Sequence, residues 1–120
     1  MRKFFFLAFS VACTTFSYAQ KQINAAEAAK HEGESVTVCT KIFGGKYFEN
    51  SPKKQTLLDA GARYPNALLK IVILGEDRGN FSNKPEEFYV NKEVCVTGKI
   101  IMYKGKPEIE IKDETAIKIN

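Results

Sequence analysis

Apolar and polar residues alternate with period two in several stretches of this chain, and two of those stretches nearly repeat each other. Val36-Thr-Val-Cys-Thr-Lys-Ile42 recurs as Val94-Cys-Val-Thr-Gly-Lys-Ile100. In an extended strand, one face of the first copy carries Val36, Val38 and Ile42, and one face of the second carries Val94, Val96 and Ile100. Cys39 and Cys95 fall on the opposite face. Antiparallel pairing of Cys39 with Cys95 also sets Thr37 against Thr97 and Lys41 against Glu93, both favourable cross-strand pairs.

The rest of the pattern supplies the other elements. After a first strand over 36–43, the segment 44–54 holds Gly44, Gly45, Asn50, Ser51 and Pro52, which predict a long loop with exposed aromatics. A short strand over 55–59 and a turn at Gly61 and Tyr64-Pro65-Asn66 lead into Leu68-Leu-Lys-Ile-Val-Ile-Leu74. Bounded by Gly75, that apolar run reads as a central strand. Pro85 with Glu86 and Glu87 suits the first turn of a small connecting helix, with Phe81 and Phe88 as core plugs. A fourth strand covers 93–103. Lys104-Gly105-Lys106 turns it into a fifth over 107–112, with Ile109 and Ile111 inward and Glu108 and Glu110 outward. Ahead of the strands, Asn24 as N-cap, Glu27 as capping-box partner and Gly33 as stop predict a helix over 24–33. The tail, 113–120, offers an edge strand. Three strands, a helical connector and a hairpin is the order of the OB-fold, an all-β, five-stranded Greek-key barrel. That barrel sets its first and fourth strands side by side, so topology and register independently bring Cys39 to Cys95.

Residues 1–19 add a compartment. Arg2 and Lys3, the apolar run from Phe4 to Ala12, and Ser17-Tyr-Ala19 before Gln20 have the layout of a secretory signal. The run is too short to span a bilayer. Ser10-Val-Ala-Cys13 is a competing lipidation box, although its first position lacks the usual Leu. Cleavage after Ala19 leaves one domain over 20–120, periplasmic or secreted. It keeps an even pair of cysteines, as suits an oxidising compartment. A disulfide closing a loop of about 57 residues adds roughly 4 kcal/mol by the chain-entropy relation. Two unpaired buried thiols are the alternative. Loss of Arg2 and Lys3 lowers the formal charge from +4 by two. Beyond them Lys53-Lys54 is the one adjacent Lys/Arg pair, and acids are mixed through the rest, so charge alone argues weakly for a polyanion partner.

Several segments together resemble small exported bacterial OB-fold proteins of the nucleic-acid-binding-like kind. They are Ala25-Ala-Glu-Ala-Ala-Lys-His31, Val36-Thr-Val-Cys39, Tyr64-Pro-Asn66, Gly75-Glu-Asp-Arg78, Val94-Cys-Val-Thr-Gly-Lys-Ile100 and Tyr103-Lys-Gly-Lys-Pro107. The resemblance covers nearly all of 20–120 and speaks to fold more than to activity. Leu74 departs from the pattern, standing where an aromatic is expected, and so removes a stacking position.

An OB-fold holds oligonucleotides or sugars across its second and third strands, helped by the loops after the first strand and between the fourth and fifth. Candidates are therefore Lys46, Tyr47, Phe48, Lys53 and Lys54 in the first loop, with Tyr103, Lys104 and Lys106 at the hairpin. Aromatic stacking and lysine–phosphate pairing would carry binding of single-stranded nucleic acid or another polyanion. The plainer reading has Tyr47 and Phe48 capping the barrel while the lysines keep it soluble. Glu76-Asp77-Arg78 sits past a buried strand, and a nuclease built on this barrel uses acids and arginines near its mouth. With no second acidic cluster in sequence, Asp77 and Arg78 read instead as holding the connector through hydrogen bonds and an ion pair. His31, the only histidine, lies at the end of the first helix without the Cys or His neighbours a zinc site requires. Cys39 and Cys95 lack a CxxC setting and read as a staple. The expectation is a non-catalytic binding module with no cofactor and no metal. A protein-interaction or accessory domain of the cell envelope is the alternative, docking through a sheet edge or the hairpin. A metal-dependent nuclease relative is a third reading.

Overall fold

The computed structural model describes residues 21–120, and the expected leader, with Cys13, lies outside them. Among the described residues the chain is mostly β. Its strands are β1 (Lys21–Ile23), β2 (Ser35–Tyr47), β3 (Thr56–Ala60), β4 (Leu69–Ile73), β5 (Glu93–Tyr103), β6 (Lys106–Glu110) and β7 (Ile117–Ile119). Five of them form a ring: β2 pairs with β3, β3 with β4, β4 with β6, β6 with β5, and β5 returns to β2. The β4–β6 pairing is parallel and the other four are antiparallel. Closure of this kind leaves none of the five as a free edge. The ring is irregular, because β2 and β5 are long enough to serve two sheets and a register shift bends β2 between Ile42 and Gly44.

The register expected from the repeated segment is present residue for residue: Thr37 against Thr97, Cys39 against Cys95, Lys41 against Glu93. The threonine hydroxyls meet at 2.9 Å, and Cys39 and Cys95 form a disulfide across Cα atoms 4.0 Å apart. Val36, Val38, Ile42, Val94, Val96 and Ile100 are fully buried on the other face. They meet Leu58, Leu69, Ile71, Ile73, Ile109 and Ile111 in one core. Gly98 allows that contact, since a Cβ there would stand 2.6 Å from Ile109 Cγ2. Of the two expected core plugs, Phe81 is buried and Phe88 is partly so, with Tyr89 buried beside it.

Two expectations change and one strand is added. The first helix is a 3-10 helix, Ala25–His31, opened by the Asn24 side chain accepting from the Glu27 N–H at 3.1 Å. Only Ala25 and Ala28 are buried in it, three residues apart, and a 3-10 helix stacks i over i+3. His31 ends it and pairs with Glu34 at 2.8 Å. Second, Gly44 to Tyr47 belong to β2 rather than to a loop. Their glycines answer a close approach, because a Cβ on Gly45 would lie 2.9 Å from the Glu86 Cα of the short helix α1 (Pro85–Phe88). The added strand, β1, joins as a parallel neighbour of β2, too short to show a period. The tail forms the edge strand β7 on β5, as its sequence suggested.

Candidate ligand-binding groove

The outward positions of the ring line up in rows. One row runs Gly44, Asp59, Lys70, Glu108, Ile101 across β2, β3, β4, β6 and β5; the next runs Lys46, Leu57, Val72, Glu110. On the β3–β4–β6–β5 side these rows form the floor of a groove of about 660 Å³, with Leu57, Val72, Leu74 and Ile101 as its apolar part.

Two connections make the walls. The β5–β6 turn has positive φ at Lys104 (50°) and Gly105 (77°), the two-residue hairpin geometry that matches strand twist. It presents Tyr103, Lys104 and Lys106 to the groove. Opposite stands the β2–β3 connection, pinned by Phe48 N–H to Gln55 O at 2.9 Å, Ser51 Oγ to Phe48 O at 2.9 Å and Gly75 N–H to Lys53 O at 3.0 Å. Ser51, Pro52 and Lys53 face the groove from that side. Half-exposed Tyr103 (58%) and Ile101 (44%) leave apolar surface open between the walls.

Carboxylates stand on the β6 side. Burial pushes the Glu108 carboxyl above its ordinary value; Lys70 opposes that shift and Glu110 adds to it. Lys70 is itself held by Asp59 on its other side. The rim of the groove is thus cationic, and its middle is apolar and acidic.

The expected site residues divide among four places. Lys53, Tyr103, Lys104 and Lys106 come together in the groove. Lys54, with φ 44°, turns to a smaller hollow beside Gly75 and Glu76. Lys46 and Phe48, the ammonium 5.0 Å from the ring, lie in a neighbouring hollow on β2. Tyr47 points elsewhere, under the Arg78 guanidinium at 3.8 Å. Arg78 forks onto Glu86 at 2.7 and 2.8 Å and donates to Thr56 at 2.7 Å, so the ion pair expected at the connector exists. Asp77 does not join it; its Oδ2 is buried without a partner. The sequence reading passed over Leu57, Lys70 and Val72 because nothing local to them shows that β3, β4 and β6 align them on one outward face.

No family model matches the chain, and no curated protein matches it in sequence. A solved structure does: a Leishmania major Friedlin protein assigned as an aspartyl-tRNA synthetase aligns with a TM-score of 0.52 at 12% identity. The alignment covers 91% of this chain and 22% of that one, so this chain spans about a fifth of its neighbour's length. At that identity the likeness is one of fold, and it agrees with an OB-like β architecture.

Proposed function

We propose that the five-stranded ring is an OB-fold barrel and that the chain is an exported, non-catalytic module binding single-stranded nucleic acid or a similar anionic polymer in the groove. The parallel β4–β6 pairing and the return of β5 to β2 support the barrel. The disulfide is compatible with export, and among the described residues no helix is long and apolar enough to cross a membrane. A neighbour named as a tRNA synthetase is compatible with a nucleic-acid partner.

One observation carries the ligand: Lys53 and the Tyr103, Lys104, Lys106 group, far apart in sequence, face each other over an apolar floor. Phosphates would follow the lysine rims, away from Glu108 and Glu110. Bases would turn inward, one stacking on Tyr103, with exocyclic amino groups donating to the carboxylates. In the test, anisotropy of a labelled single-stranded oligonucleotide is followed between about 50 and 200 mM salt. Three or four lysine contacts give a loss of roughly 20- to 50-fold in affinity. Lys104→Glu/Lys106→Glu should abolish binding; an affinity indifferent to salt and to these changes sinks the reading.

The exposed Ile101 beside the two carboxylates favours a second reading, a protein-interaction module that takes a partner segment carrying apolar and basic side chains. Such docking, carried mainly by the apolar contact, loses less affinity with salt than polyanion binding does. For the nuclease reading, Arg78 is already committed to Glu86, which leaves it serving the connector.

A further inference from the structure

Leu57 and Lys70 line the groove and also line a second hollow of about 550 Å³ on the β2 side, so the two hollows are neighbours that meet at these side chains. Three aromatic rings surround this hollow: Phe43 and Phe48, each half-buried, and Tyr64, which is 76% exposed. A lysine stands beside each ring, Lys41 at 5.2 Å from Phe43, Lys46 at 5.0 Å from Phe48 and Lys70 at 5.1 Å from Tyr64, and the last two of these lysines line the hollow. Arg63 adds a third cation, against the single carboxylate of Asp59, which Lys70 already neutralises. The hollow therefore carries an excess of positive charge beside stacking surfaces.

The backbone turn that carries Tyr64 is held in place. It is tied by Gly61 N–H to Lys41 O at 3.0 Å, Asn66 N–H to Arg63 O at 2.7 Å and Leu68 N–H to Ala60 O at 3.0 Å. Gly61 supplies the positive φ of 84° at its start. An exposed ring on a pinned turn loses little freedom when a ligand covers it.

We propose that this hollow is a second base-binding subsite, in which Tyr64 stacks a nucleobase while Lys46 and Arg63 pair with the flanking phosphates. The inference rests on the nucleic-acid reading of the groove and extends it. The strand would enter at Tyr103, cross the outward rows of β6, β4 and β3, and end at Tyr64. Three strand spacings make that path roughly 14 Å along the surface. It suits a site of at least about four nucleotides, the lower end for one such barrel.

The chain has no tryptophan, so Tyr64→Trp introduces a single reporter at the subsite. A single-stranded oligonucleotide of about eight residues should quench the introduced indole as a base stacks on it. Tyr64→Ala should weaken the same oligonucleotide about tenfold, with an unchanged circular dichroism spectrum and melting temperature, because the ring makes little of the core. The subsite is overturned if the oligonucleotide binds, by anisotropy, with no change in indole emission and with full affinity for Tyr64→Ala. Flat anisotropy for the unaltered protein at low salt overturns the nucleic-acid reading itself, and the subsite with it.

Discussion

Arg78 lies over the Tyr47 ring at 3.8 Å while both its terminal nitrogens reach the Glu86 carboxylate. The stack closes α1 and its connector against β2, which withdraws Tyr47 from any ligand. Tyr47→Ala should lower stability and leave groove affinity within about twofold. Equal loss of both, measured by denaturation and oligonucleotide titration, would return Tyr47 to the site.

The same ion pair sets an acid dependence. The Arg78 hydrogen bonds hold the Glu86 carboxyl below its ordinary value, so its contribution is complete above about pH 4.5 and disappears as pH falls through the lowered value. Arg78→Met should cost about 2 kcal/mol at neutral pH. That is less than the cost of breaking a fully buried pair, since both side chains keep some solvent contact. Urea denaturation at pH 7 and pH 3 checks it: the gap between the two proteins should shrink at the lower pH.

Glu108 has the opposite sign. Its raised value means that the folded state holds the proton more tightly, so stability falls as pH rises from the ordinary carboxylate value through the raised one. Its charge also faces the groove. Glu108→Gln should therefore stabilise the protein modestly at neutral pH and strengthen polyanion binding a few-fold, flattening the pH dependence of affinity above the ordinary carboxylate value of about 4.5. Unchanged affinity and pH profile would place Glu108 outside the ligand's path.

The disulfide joins residues 56 apart, and its loss should cost about 4 kcal/mol by the chain-entropy relation. Cys39→Ser/Cys95→Ser, compared with the oxidised protein by chemical denaturation, measures this, and intact mass with and without reductant counts the thiols.

Much of the ring was legible because Val36-Thr-Val-Cys39 and Val94-Cys-Val-Thr97 fix register by both alternation and cysteine position. The β5 bounds and the Pro85 helix followed from equally local signals. Gly44-Gly45 misled, since glycine marks turns and close approaches alike, and the Glu86 backbone that demands the second is forty residues away in sequence. The groove was half legible. Lys53 in its loop, and Tyr103, Lys104 and Lys106 at the hairpin, lie in segments whose composition suggested binding, but Leu57, Val72 and Lys70 become a floor only when three strands align. Nothing local to Tyr47 reports that Arg78 will cover it, and nothing local to Tyr64 reports that Phe43 and Phe48 will stand beside it.

The most direct measurement is amide chemical-shift mapping of the oxidised, ¹⁵N-labelled protein with a single-stranded oligonucleotide of about eight residues at low salt. Binding in the groove predicts shifts concentrated at Lys53, at Val72 and through 103–106, weakening as salt is added. An unmoved spectrum would contradict it, as would shifts confined to the opposite face around Thr37, Cys39 and Thr97.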